Sequence, residues 1–324
     1  MKHTNIMAVV AAGFAMLLAS SASALDKLTV AYFLEWPTAN QVAQLEETYD
    51  EALGVEVEWR AFGNGNEMSQ AMAAGDVQIA YSQGLVPWVV AVTNGLPLKL
   101  VGVAVSYAEA DNCVVHADAG VTQANAGDLE GRKIATPIGN VTHYKLLRML
   151  DHLGVDATKV DMVQMIGADA AVALARGDVA AACAFGGPLQ RMQEYGALLM
   201  TAAEQEAIGI RVFDVVSVTE SFANDHPDML TKFMQVTDQA NAAYNGDPGQ
   251  FQETIAKAAG MDLAAARDML GMFSFPSAAD QKSDAWLGGT VQAFTKEVAD
   301  FFVEQGQLDR ALDSYDFAID ASFL

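Results

Sequence analysis

Basic residues are scarce in this chain of 324 residues: 18 Lys plus Arg stand against 41 Asp plus Glu, a formal charge of −23. Such a surface repels a phosphate backbone or an anionic membrane face, so nucleic acid is excluded as an expected partner. Cysteine is limited to Cys113 and Cys183, which rules out a disulfide-dense scaffold. Only eight residues are proline while 52% are hydrophobic, so disordered and collagen-like classes are excluded too. The five histidines, at positions 3, 116, 143, 152 and 226, form no His-Glu-x-x-His, and with no Cys-x-x-Cys the spacings of a zinc centre are missing. No Gly-x-Ser-x-Gly occurs, the nearest stretch being Ala80-Tyr81-Ser82-Gln83-Gly84, and no Gly-x-x-x-x-Gly-Lys-Ser/Thr phosphate cradle. Gly63-Asn64-Gly65 lacks the third glycine of a dinucleotide fingerprint and reads as a polar turn. Catalytic residues, metals and cofactors are therefore not expected.

Long apolar runs are scarce as well. Lys2 precedes one from Ile6 to Ala19, 14 residues, short of the roughly 18–20 that span a bilayer. It is followed by Ala22-Ser23-Ala24, a small-x-small cleavage pattern, so residues 1–24 read as a secretory signal. The mature chain is expected in the periplasm, without a lipid anchor, because the first cysteine is Cys113. In that oxidising compartment Cys113 and Cys183, both in strand-like stretches, fit a disulfide or a pair of buried thiols.

What the chain does contain is alternation. Lys27–Tyr32 reads as a strand, Gln41–Leu53 as a helix ended by Gly54, Val55–Trp59 as a strand, Glu67–Ala74 as a helix and Val77–Tyr81 as a strand, the pattern of an α/β fold. A repeat reinforces it: Ala71-Met72-Ala73-Ala74-Gly75-Asp76-Val77-Gln78-Ile79-Ala80 recurs 102 residues later as Ala173-Leu174-Ala175-Arg176-Gly177-Asp178-Val179-Ala180-Ala181-Ala182. Each copy is a helix end, a Gly-Asp turn and a buried strand, so one corner is built twice. From His226 onward helices dominate, over Pro227–Tyr244, Gly249–Ala259, Asp262–Met272 and Asp280–Gln305. The length suits about two domains. Two α/β lobes with a helical tail follow, with ligands expected beyond the carboxyl ends of the strands.

An exported, duplicated α/β chain without a catalytic motif resembles the periplasmic substrate-binding proteins of ABC importers, and within them the taurine and alkanesulfonate group. The stretches that carry the likeness are Leu28–Tyr32, Val57–Arg60, Ser69–Ile79, Asp128–Pro137, Thr142-His143-Tyr144 and Phe213-Asp214-Val215. The resemblance implies a type II-like two-lobed fold with a ligand cleft between the lobes. Lobe 1 would hold residues 25–110 plus 213–324 and lobe 2 residues 111–212, with hinges near 109–113 and 211–215. It also implies a monomer that hands a small zwitterion to an ABC permease in the inner membrane.

Taurine joins a permanently ionised sulfonate to an ammonium, so its site needs donors at one end and carboxylates at the other. Thr136–Thr142 leads from a strand into a helix whose first N–H groups, with the Thr142 hydroxyl and the backbone of His143 and Tyr144, suit an anion. Asp214 sits in the apolar strand Val212–Val216, where an unpaired carboxylate is costly and a cation is wanted. Glu35 is a second candidate carboxylate, and Trp36 offers an aromatic face to the ammonium. Ser82-Gln83-Gly84 and Ala184-Phe185-Gly186 end the repeated strands and are expected to face each other, with Tyr81, Tyr107 and Asn112 nearby. Relatives in the group carry a tryptophan where Phe185 stands and a Ser-rich turn over residues 83–86.

Overall fold

A computed structural model describes residues 25–324; the expected signal segment lies outside them. Ten strands form two five-stranded sheets: β1 (Lys27–Phe33), β2 (Glu56–Phe62), β3 (Ile79–Gly84), β4 (Leu98–Tyr107), β5 (Asp111–His116), β6 (Lys133–Thr136), β7 (Asp161–Gln164), β8 (Ala181–Phe185), β9 (Gly196–Leu198) and β10 (Val212–Thr219). The first sheet has the order β2-β1-β3-β10-β4 and the second β7-β6-β8-β5-β9. In each, four strands run in one direction and the remaining one, β10 or β5, runs antiparallel to both its neighbours. The chain crosses from the first sheet to the second between Tyr107 and Asp111 and returns between Leu198 and Val212.

The repeat is a structural duplication. Helices Gly65–Ala73 and Gly167–Ala175 precede β3 and β8, and each ends at a left-handed glycine, Gly75 (φ 82°) and Gly177 (φ 72°), where a side chain would be strained. The next N–H then donates back in the same way: Asp76 to the Ala71 carbonyl and Asp178 to the Ala173 carbonyl, both at 3.0 Å. All six residues of β3 are buried, its first half apolar and its end, Ser82-Gln83-Gly84, polar but internally hydrogen-bonded, as required where helices cover both faces of a sheet. In the second sheet Cys113 and Cys183 face each other on β5 and β8 and form a disulfide.

Two expected helices are broken. Gln41–Leu53 divides into Gln41–Leu45 and Thr48–Leu53 because Glu47 takes a left-handed conformation (φ 57°), which turns Tyr49 inward to stack on Phe233 at 4.7 Å. Asp280–Gln305 divides into Ala278–Gln281 and Thr290–Glu304; the chain at Gly288 passes so close to the Ser283 backbone that a Cβ would lie 2.7 Å from it. The helical tail returns to the first sheet, where Ser274 bridges Ser106 and Ile319 bridges Leu100. Phe301 and Phe302 of its last helix meet Tyr144 of helix Val141–His152, so the tail touches both halves.

Candidate functional site

The ends of β3 and β8 meet their opposite halves around a small cavity. Gly84 caps helix Leu85–Thr93 and lies against Val141, the first residue of helix Val141–His152; a Cβ at position 84 would come 2.6 Å from the Val141 Cγ2. At one lip the Gly65 N–H donates to Asn140 Oδ1 at 3.0 Å and Asn66 Nδ2 to the Ile138 carbonyl at 2.8 Å. Between these contacts lies a narrow cavity of about 20 Å³ lined by Phe33, Trp36, Gly65, Gly84, Tyr107, Asp111, Asn140, Val141, Thr142, Phe185 and Asp214. No Lys or Arg lines it.

Two buried carboxylates face this space. Asp214 registers with Gly84 at the end of β3, and Asp111 with Phe185 at the end of β8, so the two acids hold near-equivalent stations in the two sheets. Asp214 Oδ1 accepts from the Tyr107 hydroxyl at 2.8 Å and Oδ2 from the Ser82 hydroxyl at 2.7 Å, whose oxygen in turn accepts from Trp36 Nε1 at 2.9 Å. Burial raises the carboxyl of Asp214 to about 7 despite those donors, and the neighbouring Asp111 pushes the same way. Asp111 Oδ2 accepts from the Thr142 hydroxyl at 2.9 Å, while its buried Oδ1 has no partner. Burial raises Asp111 to about 6, opposed by Lys145. The Lys145 ammonium itself is lowered to about 8 by burial and donates to the backbone carbonyls of Ala108 (2.7 Å) and Asp111, pinning the crossing segment.

Donors for an anion come from backbone. Asn140 Oδ1 is engaged by Gly65, so it does not cap helix Val141–His152, and Gly84 has no side chain to cap helix Leu85–Thr93. Two uncapped helix starts thus converge on the cavity, one from each half, each favouring negative charge by about 0.3–1 kcal/mol when exposed and up to ~2 when partly buried. Aromatic rings close the remaining wall: Trp36 lies 4.9 Å from Tyr107 and 5.5 Å from Phe185, and Phe33 lies 5.0 Å from Phe185.

Of the residues expected from sequence, Trp36, Gly84, Thr142, Phe185 and Asp214 line the cavity and Ser82 supports Asp214 from behind. The side chains of the others point elsewhere, and the Tyr144 N–H, expected as an anion donor, is taken by the Asn140 carbonyl at 3.1 Å. Gln83 is buried in a closed network, donating to the Gly65 carbonyl and Ser69 and accepting from Ser217. Asn112 points to the opposite face of β5, bonded to Met200 and Gln205. The His143 ring accepts from the Gly139 N–H at 3.2 Å and is lowered to about 4 by burial, so it is neutral. Tyr144 packs on the tail and accepts from Arg148, and Glu35 pairs with Arg191 at the outer lip. The unexpected members are Asp111, Phe33, Gly65 and Asn140. Strand parity could have found Asp111, since it shares the face of Cys113 and registers with Phe185.

Two sheets of this topology, joined by two crossings and enclosing a cavity between them, define the periplasmic-binding-protein fold. Residues 41–251 match the NMT1/THI5-like family, and the chain belongs to it. Among curated proteins it is 28% identical over 301 residues to the taurine-binding periplasmic protein of Escherichia coli (strain K12), covering 92% of each chain. Among solved structures it is similar to the alkanesulfonate-binding protein SsuA from Xanthomonas axonopodis pv. citri bound to MOPS, with TM-score 0.73, 21% identity and coverage of 91% and 98% of the two chains. The fold is shared by an enzyme: the desulfurization enzyme DszB, in complex with biphenyl-2-sulfinic acid, matches with TM-score 0.62 at 16% identity over 92% and 98% of the two chains.

Proposed function

We propose that this protein is an exported, monomeric binding protein that captures taurine or a close aminosulfonate between lobe 1 (25–110 plus 213–324) and lobe 2 (111–212) and delivers it to an ABC permease. One observation carries the reading. Two buried carboxylates share with two uncapped helix starts a cavity that no cationic side chain lines, Lys145 lying behind Asp111, so the site asks for a small molecule bearing both a cation and an anion. Asp214 and Asp111 would take the ammonium against the rings of Trp36, Tyr107 and Phe185, while the N–H groups beginning at Val141 and Leu85 take the sulfonate. The relatives named taurine- and alkanesulfonate-binding support the ligand class.

Taurine has about seven non-hydrogen atoms, so a ceiling near −1.5 kcal/mol per atom allows about −10 kcal/mol, submicromolar binding at best. Calorimetry and thermal shift with taurine, hypotaurine, ethanesulfonate, β-alanine and glycine betaine test the assignment, because a ligand that binds only the folded state raises its melting temperature. Saturable heat with taurine, and weaker binding of ethanesulfonate, is the expected result; silence at millimolar taurine sinks the taurine assignment. Turnover of a bound sulfonate or sulfinate would instead establish the enzymatic reading that the DszB likeness raises.

A further inference from the structure

The lip of the cavity opposite Asn140 is closed by charge. Glu35 belongs to the loop after β1 in the first half, and its carboxylate receives Arg191 in a bidentate pair, Nη1 to Oε1 at 2.7 Å and Nη2 to Oε2 at 2.9 Å. Arg191 lies on the short helix Gly186–Met192 that follows β8 in the other half. The backbone joins in: the Gly187 N–H donates to the Glu35 carbonyl at 3.2 Å. A Cβ on Gly186 would lie 2.4 Å from that carbonyl oxygen and one on Gly187 2.8 Å from the Glu35 Cδ, so only glycines let the two halves approach this closely. Glu35 itself is held in the left-handed region at φ 53°, one of three non-glycine residues there among the described residues. Another is Ser82, the support of Asp214. Backbone strain of this kind persists where surrounding contacts over-determine it; the Glu35 N–H is held by the Ala259 carbonyl of its own half at 2.8 Å, while its carbonyl and carboxylate are held by Gly187 and Arg191 of the other.

We infer that Glu35 and Arg191 form a catch across the cavity mouth that sets how long the closed form, and with it the bound ligand, persists. Neither residue lines the cavity, so they are positioning residues that act through closure. The inference rests on the capture of a ligand by closure proposed above. Because the pair is half-exposed, its contribution is modest and screened by salt: about twofold to fivefold in release rate. The opposite lip, made of Asn66, Asn140 and backbone groups, carries no charge and should show no such dependence.

Stopped-flow release of taurine from the full mature protein reads this directly. Glu35→Gln and Arg191→Gln should each speed release about twofold to fivefold, the double variant no more than either single, and the exchanged pair Glu35→Arg with Arg191→Glu should recover most of the loss. Raising salt from 0.02 to about 0.5 M should speed release from the unaltered protein and leave Arg191→Gln unmoved. Unchanged rates, additive single effects or an exchanged pair that releases faster than either single would overturn the catch. Hydrogen exchange at the Gly187 N–H in ligand-free protein, expected to quicken in both single variants, decides it independently of taurine. If taurine fails to bind the unaltered protein, the functional reading falls and the exchange measurement still tests the catch.

Discussion

The two copies of the repeat share a frame and differ at their ends. Up to the strand the copies agree to the hydrogen bond, with the same left-handed glycine and the same Asp N–H returning to the helix. Beyond it, β3 ends in Ser82-Gln83-Gly84, whose polar atoms are engaged in holding Asp214 and bracing the first half, whereas β8 ends in Ala184-Phe185-Gly186, an aromatic wall. The carboxylates belong to neither copy; Asp214 and Asp111 stand on the antiparallel strands reached just after each crossing. Duplication therefore supplies a symmetric scaffold, and the two cavity carboxylates stand on the strands that break the symmetry.

Removing the asymmetry of crosslinking should have the largest effect. Only the second sheet carries a disulfide among the described residues, closing a sequence separation of 70 residues. On the chain-entropy relation, converting both Cys113 and Cys183 to Ala costs about 4 kcal/mol. Hydrogen exchange should localise the loss to β5 and β8 and leave β3 and β10 protected, while uniform loss would mean that the halves unfold as one. Next comes the ligand itself. Asp214→Asn should weaken taurine by about 2–5 kcal/mol, since it removes a buried charge facing the ammonium. Asp111→Asn should cost less, about 1.5–3 kcal/mol, because Lys145 already offsets that acid. Calorimetry showing the reverse order would move the ammonium to the second half, and ethanesulfonate should be weakened by neither.

The smallest effect is that of pH. In the empty protein Asp214 titrates near 7 and Asp111 near 6, both raised by burial above ordinary carboxylates. The folded chain thus holds protons that the unfolded chain releases, and the stability this provides is fully present below about pH 4 and lost as pH rises through about 7. An arriving ammonium favours the ionised acids, so capture releases protons and affinity should rise about tenfold from pH 6 to 8. Calorimetry in buffers of different ionisation enthalpy counts those protons. Asp214→Asn should flatten most of the slope.

The sequence made the scaffold legible because a left-handed glycine beside a buried strand leaves a local signature, repeated at one offset. Asp214 was legible for a similar reason: an acid inside an apolar strand is conspicuous. Glu35 and Asn112 show where local reading stops. Glu35 sits in the expected loop, yet the partner that claims it is 156 residues away on the other half. Asn112 is one residue from Asp111, and in a strand one residue reverses the face, a choice that only the pairing with β8 decides. The break at Glu47 likewise follows from long-range packing, of Tyr49 on Phe233, whereas the one at Gly288 is a local turn closed on Ser283.

Trp36 gives the site a built-in optical signal. Of the four tryptophans only this one lines the cavity, and its indole N–H begins the chain through Ser82 to Asp214. On the reading proposed above, a cation that draws the proton from Asp214 would change the field along that indole, so Trp36 emission should shift on binding. Trp36→Phe, which keeps the other three tryptophans, should abolish that shift.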